Sequence, residues 1–175
     1  ISPCGLLSDA EIFGNLGADR NAMFIEGIDS VLNLWTENAP YDIDGKYWKI
    51  STTKTLVPEI GQGIVAKPLQ RPHPPIVVTA VAPFSKGVTA AAARGWDPIS
   101  ANFLMPKWVA THKASYEEGC VAGGREVDFA NWRVVTCIFV ATAKATARNY
   151  VCGAGSPYVH YFSSLCTNLV KNGRS

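Results

Sequence analysis

The hydrophobic and polar positions of this chain follow a helical period in some stretches and a strand pattern in others. Between Arg20 and Trp35 apolar residues recur three and four positions apart, which predicts an amphipathic helix. Tyr41–Ile50 places aromatic and apolar residues around Asp44-Gly45, which predicts a small hairpin with that pair as its turn. Residues 51–75 are rich in proline and glycine and predict a long loop.

The second half of the chain alternates between strand and helix patterns. A β-branched run without charge predicts a strand over about 75–81 that is covered on both faces, followed by a helix over about 85–94 that ends at Gly95. The next strand is expected at 97–100. Further elements are expected as helices over about 106–122, 143–152 and 157–171, with a strand over 131–141. This alternation predicts an α/β fold with a parallel sheet.

Composition limits the class of protein. The 175 residues fit one domain over 1–175, and 47% hydrophobic against 17% charged residues are enough to form a core. A net charge of +2 without a basic stripe argues against a nucleic-acid partner, and no apolar run is long enough for a membrane span. The five cysteines are odd in number and form no close pair, which favours reduced thiols in a cytoplasmic protein.

Ser85 is the strongest candidate for chemistry that the pattern itself offers. A hydroxyl and free backbone N–H groups at a helix start can hold a phosphate, and the alternative is an ordinary serine cap of the helix. His73, His112 and His160 are far apart and show no metal-ligand spacing, so no metal site is expected. His112 and His160 are expected as polar or partly buried positions within helices. Paired carboxylates and a G-x-S-x-G nucleophile elbow are both missing from the sequence.

Several phrases taken together resemble the bacterial luciferase-like family of flavin-dependent monooxygenases, and among its branches the limonene-monooxygenase-like one. The phrases occur in the family's order and cover most of the chain. They are Ser2–Asp9 with Phe13-Gly14, Ile28–Trp35, Tyr41–Trp48, Lys67–Ile76 and Ala92–Phe103.

The resemblance implies a (β/α)8 barrel of the luciferase-like type. Such a barrel needs about 250 residues, so this chain corresponds to the C-terminal part of an incomplete barrel whose first three β/α units are absent. Residues 1–6 would then be the end of the family's fourth strand. The loop 51–75 would help to shield the reaction from water.

The resemblance also implies a cofactor and a site. The family binds the phosphate of FMN near the end of the fourth strand and in the turn after the fifth. The matching residues here are Cys4, Gly5 and Leu6 at the first place, and Val81, Ala82 and Ser85 at the second. Lys86 is a candidate for the positive charge beside the phosphate. The family's best-known catalytic histidine belongs to an early strand that this chain lacks, so no catalytic residue is assigned.

The implied activity is oxygenation of a small apolar organic substrate by reduced FMN and molecular oxygen, with the reduced flavin supplied by a partner reductase. Two other functions stay open: a non-catalytic flavin-binding protein on a shortened scaffold, and an oxidoreductase that uses deazaflavin F420. The family often pairs its barrels, so a homodimer is also expected.

Overall fold

The computed structural model describes residues 1–3 and 5–172. Its contacts divide the chain into two compact units, Ile1–Ile76 and Val77–Ser175, which are described in turn. The single domain expected from the length stays a prediction.

The first unit contains two helices and a hairpin. Helix α1 covers Leu7–Ile12 and helix α2 covers Arg20–Thr36. The Asp19 side chain caps α2 by accepting hydrogen bonds from the N–H groups of Asn21 and Ala22, at 3.1 and 3.0 Å. The helix predicted for this stretch is confirmed. Residues 1–3, 5 and 6 are not part of a strand, so the strand end expected there is wrong for the described residues.

The predicted hairpin is present, but its turn is longer than expected. Strands β1 (Asp42–Asp44) and β2 (Lys49–Ser51) pair antiparallel, and Asp44 is itself paired with Lys49. The turn therefore covers residues 45–48, and it is closed by a 3.0 Å bond from Gly45 N–H to the Trp48 carbonyl. The turn is longer because of a tertiary contact, which local turn preferences cannot predict.

That contact is made by Glu26 of α2. Its carboxylate accepts hydrogen bonds from the N–H groups of Lys46, Tyr47 and Trp48 at 3.2, 2.7 and 2.8 Å. The Trp48 indole returns a bond of 3.2 Å to the Met23 carbonyl. Helix α2 thus fixes the hairpin turn through a charged acceptor. After β2, residues 52–76 contain one 3₁₀ turn, Pro58–Ile60.

The second unit has a parallel sheet, as predicted. Strands β3 (Val77–Ala80), β4 (Asp97–Ser100) and β5 (Arg133–Val134) lie in the order β3-β4-β5, all parallel. The helices of this unit are α3 (Lys86–Ala93), α4 (Pro106–Val109), α5 (Thr111–Ala122), α6 (Lys144–Cys152) and α7 (Pro157–Lys171).

Two of the predicted elements differ from the structure. The helix expected over 106–122 divides into α4 and α5 at Ala110, whose backbone stays helical at φ −56° and ψ −28°; beside this junction the Thr111 hydroxyl donates to the Trp108 carbonyl at 2.6 Å. The strand expected over 131–141 shortens to Arg133–Val134. Its partner β4 ends at Ser100, whose carbonyl accepts the bond from Val135 N–H, at 3.0 Å.

The core of the second unit lies between β3, α3 and α5. Its fully or nearly fully buried members are Ala80, Val88, Ala92, Tyr116 and Cys120. Gly119 lets α5 approach α3 closely, since a Cβ atom there would overlap the Thr89 carbonyl oxygen and lie 2.6 Å from the Ala92 methyl group. The small residues of both helices therefore set their distance.

The C-terminal helix α7 is less covered than its amphipathic pattern predicts. Two of its apolar residues, Val159 and Leu169, are 48% and 43% exposed. Along the described residues, no helix is both long enough and apolar enough to cross a membrane.

Candidate functional site

The carboxyl ends of the three parallel strands meet at one edge of the sheet in the second unit. Ala101 N–H donates to the Ala80 carbonyl and Val135 N–H donates to the Ser100 carbonyl, both at 3.0 Å, so the segments after the strands begin side by side. In α/β folds, ligands bind at this edge. Among the residues predicted to bind flavin, Val81, Ala82 and Ser85 lie here, in the turn between β3 and α3.

Ser85 caps helix α3, which was one of the two alternatives for it. Its Oγ accepts a hydrogen bond of 3.3 Å from Val88 N–H. A serine hydroxyl has two acceptor positions and one proton, so the O–H can still donate to an anion. Capping and phosphate binding are therefore compatible at this residue.

The start of α3 has room for an anion. A Cβ atom at Gly87 would meet only Ser85 Oγ, at 3.5 Å, so the space beside the hydroxyl is open. The first N–H groups of a helix lack partners within the helix and carry partial positive charge. Lys86, exposed on the first turn, adds a full positive charge. Ser85, Lys86 and Gly87 thus offer the donors, charge and space that a phosphate group requires.

Phe84, directly before Ser85, has an unusual backbone conformation. Its φ of +49° lies in the left-handed region, where it is the one described non-glycine residue with a positive φ. The Phe84 N–H donates to Thr111 Oγ1 at 2.9 Å, and the ring packs edge-on against Trp108 with centroids 6.2 Å apart. Such conformations cost about 1–3 kcal/mol and occur often where loops hold ligands.

Beneath this turn lies a buried network that the sequence did not reveal. His112 of α5 is fully buried, with Nε2 2.7 Å from the Ala82 carbonyl oxygen and Nδ1 2.8 Å from Ser100 Oγ. Since a carbonyl only accepts, Nε2 carries a proton. The Trp132 indole N–H donates to Ser100 Oγ at 2.8 Å. In neutral His112 the Ser100 O–H then donates to Nδ1, which satisfies every polar atom named.

The pairing of Ser100 with His112 does not form a hydrolytic nucleophile. Both residues are fully buried, and Ser100 Oγ is occupied by Trp132 and His112. Activated serine nucleophiles must reach their substrate. The network instead ties the ends of β3 and β4 to α5. His112 was expected as a polar or partly buried helix position, and it is more buried than that. The polar Ser100 at the end of a buried strand was the one sequence signal for it.

Gly5 and Leu6, also predicted to bind flavin, lie in the first unit just before α1, and both are exposed. Cys4 lies outside the described residues. A cavity of about 340 Å³ in this unit has Ser2, Pro3, Phe13 and Trp48 among its lining residues. Their part in a common site with the β3–α3 turn stays a prediction.

A second polar network lies at the opposite, amino-terminal edge of β4. Arg125 forms a salt bridge with Asp97 at 3.0 Å, and the Tyr116 hydroxyl is 3.2 Å from the same carboxylate oxygen. Burial, together with the negative charge of Asp97, raises the pKa of Tyr116 above its ordinary value. This network lies at the edge opposite the candidate site and links β4 to α5 through Tyr116 and Asp97.

An apolar cavity of about 690 Å³ lies beyond the carboxyl ends of β4 and β5. Asn102 follows β4 and Thr136 follows β5, and the remaining walls come largely from α6 and α7. Those walls are mostly apolar and include Phe139, Val151, Tyr158, Val159 and Phe162, with the thiols of Cys137, Cys152 and Cys166.

Comparison with solved structures identifies the fold. The monooxygenase RslO1 from Streptomyces bottropensis superposes with a TM-score of 0.71 at 19% identity, over 93% of this chain and 46% of that one. The oxygenating constituent of 3,6-diketocamphane monooxygenase from the CAM plasmid of Pseudomonas putida, a type II Baeyer-Villiger enzyme in complex with FMN, gives 0.74 at 21% identity, over 98% and 48%. No family model and no curated protein sequence matches the chain.

The chain therefore has the fold of part of these monooxygenases. It spans about half the length of each. The expected α/β fold with a parallel sheet is confirmed, and the small partial sheet is consistent with an incomplete barrel.

Proposed function

We propose that this chain is the C-terminal part of a luciferase-like, FMN-dependent monooxygenase of (β/α)8 architecture. The observation that carries the proposal is the turn between β3 and α3. There a half-buried serine hydroxyl, an exposed lysine and the first amides of an eight-residue helix lie together at the carboxyl edge of a parallel sheet. The fold likeness to an FMN complex supports it.

In this proposal the flavin phosphate lies against the start of α3. Ser85 Oγ and the N–H groups of Lys86 and Gly87 would donate to its oxygens, and Lys86 would balance its charge. Val81 and Ala82 would contact the cofactor along the turn, with Cys4, Gly5 and Leu6 as the second contact. When bound and reduced, FMN supplies the two electrons with which one atom of O₂ is transferred to substrate and the other leaves as water.

The substrate class proposed is a small apolar organic molecule. The cavity of about 690 Å³ next to β4 and β5 supports this, because aromatic and aliphatic side chains form most of its wall. Asn102 and Tyr158 are polar groups that could orient such a molecule there. A flavin reductase as electron donor and a homodimer belong to the same proposal, as does the narrower likeness to limonene monooxygenase.

The test is titration of the intact gene product with FMN and with deazaflavin F420, followed by oxygen-dependent NADH consumption with an added flavin reductase and apolar ketones or terpenes. FMN binding with product formation supports the proposal. FMN binding without turnover of any substrate favours a non-catalytic flavin-binding protein, and preference for F420 favours that cofactor. An intact product that binds neither flavin refutes all three.

A further inference from the structure

Two consecutive residues of helix α5 form hydrogen bonds with the turn that precedes Ser85. Thr111 and His112 begin α5, and between them they engage one carbonyl and one N–H group of the turn's backbone. His112 Nε2 donates to the Ala82 carbonyl at 2.7 Å, and Thr111 Oγ1 accepts from the Phe84 N–H at 2.9 Å. Pro83, between them, has no N–H to offer.

The effect of this arrangement on an anion is electrostatic. A carbonyl oxygen that faced the start of α3 would repel a phosphate, whereas the bond to His112 directs the Ala82 oxygen to α5. The bond to Thr111 holds Phe84 in its left-handed conformation. Together the two bonds fix the path by which the chain enters α3, so that Ser85 and the first helix amides are presented in one geometry.

The histidine is itself fixed in one orientation. The Ser100 hydroxyl donates to Nδ1 and in turn accepts a hydrogen bond from the Trp132 indole, and His112 is fully buried. A leucine or valine could fill the same space but could not donate to a carbonyl. The network therefore serves the turn, in addition to filling the core.

We propose that Thr111 and His112 form a clamp that positions the β3–α3 turn for the phosphate of the flavin. The clamp residues act through the turn and do not touch the phosphate, so they are positioning residues. This inference rests on the proposed function, because it concerns the same site.

The test compares two substitutions of His112 that each keep one half of its bonding. In His112→Gln the side-chain amide nitrogen falls near the position of Nε2 and can still donate to Ala82. In His112→Asn the shorter amide reaches only the position of Nδ1 and keeps the Ser100 contact alone. The pair thus separates the bond to the turn from the bond within the core.

Binding is measured by flavin fluorescence quenching with FMN and with riboflavin, which lacks the phosphate, on the intact gene product. We expect His112→Gln to bind FMN within about threefold of the parent, and His112→Asn to bind it at least tenfold more weakly. Riboflavin affinity should be similar in all three. The ³¹P resonance of bound FMN should move in His112→Asn only. Thermal denaturation establishes that each variant is folded.

A second pair keeps the inference testable if His112→Asn does not fold. Thr111→Val removes the acceptor for Phe84 N–H at nearly constant volume, and Thr111→Ser retains it. FMN affinity should fall in the valine variant only. The clamp is refuted if folded His112→Asn or Thr111→Val binds FMN like the parent, or if riboflavin and FMN affinities fall equally. A parent protein that binds no FMN refutes the proposed function itself, and the clamp with it.

Discussion

Replacing Gly87 with alanine tests the flavin site by changing affinity and stability in opposite directions. The added methyl group would lie 3.5 Å from Ser85 Oγ and would touch nothing else within 4 Å, so the folded protein accommodates it. Alanine is better than glycine inside a helix by about 1 kcal/mol, so the free energy of unfolding should rise by up to that amount. The same methyl group would fill the space proposed for the phosphate.

The loss of affinity can be estimated from the bonds displaced. One hydrogen bond to a charged group contributes about 1.5–3 kcal/mol, so the Kd for FMN should increase roughly 10- to 150-fold. Fluorescence titration measures the Kd, and urea denaturation measures the stability. Ala90→Gly, at an exposed position of the same helix, is the matched control: stability should fall while FMN affinity stays constant. A more stable Gly87→Ala protein with unchanged affinity would show that the phosphate lies elsewhere.

The other predictions concern the second unit's packing, ionisation and thiols. Gly119→Ala should lower the free energy of unfolding by about 1–3 kcal/mol or more, because its methyl group overlaps the α3 backbone. Val121→Ala, at an exposed position of the same helix, should have little effect. Equal effects of the two substitutions in urea denaturation would contradict this. Folding raises the pKa of Tyr116, so its contribution to the free energy of unfolding should be complete below pH 10. Above pH 10 that contribution should fall by at most about 1.4 kcal/mol per pH unit. Tyr116→Phe should lose that slope, and an unchanged slope in denaturation at pH 10–11 would count against it. Brief alkylation followed by mass spectrometry should find the buried Cys120 unmodified and the exposed Cys137, Cys152 and Cys166 modified. Early labelling of Cys120 would contradict its buried position.

The sequence was most informative where local chemistry decides the structure. Ser85 as helix cap and Gly95 as helix stop marked the limits of α3 because both act within one turn of the chain. The strand expected at 97–100 is also present as β4, although two of its four residues, Asp97 and Ser100, are polar.

Where distant residues decide, the sequence was less informative. The hairpin turn is set by Glu26, about twenty positions away, which local turn preferences cannot include. The length of β5 depends on where its neighbour β4 ends, and the residue pattern of β5 alone cannot predict that point.

The same difference between local and distant residues applies to the candidate site. Ser85 could be proposed from its place between a strand and a helix. The contacts of His112 could not, because Ala82, Ser100 and Trp132 are 30, 12 and 20 positions from it in the printed sequence and share no motif with it. Only the folded chain brings them together.

The four-residue strand β4 has consequences for protein engineering. Asp97 at its first position belongs to the network with Arg125 and Tyr116, and Ser100 at its last belongs to the network with His112. Tyr116 and His112 lie one turn apart on α5, so both networks converge on a single helix. Libraries that vary β4 or α5 would therefore lose most of their members to misfolding. Diversity introduced into α6 and α7, whose side chains are largely exposed, would be tolerated far better and would alter the apolar cavity directly.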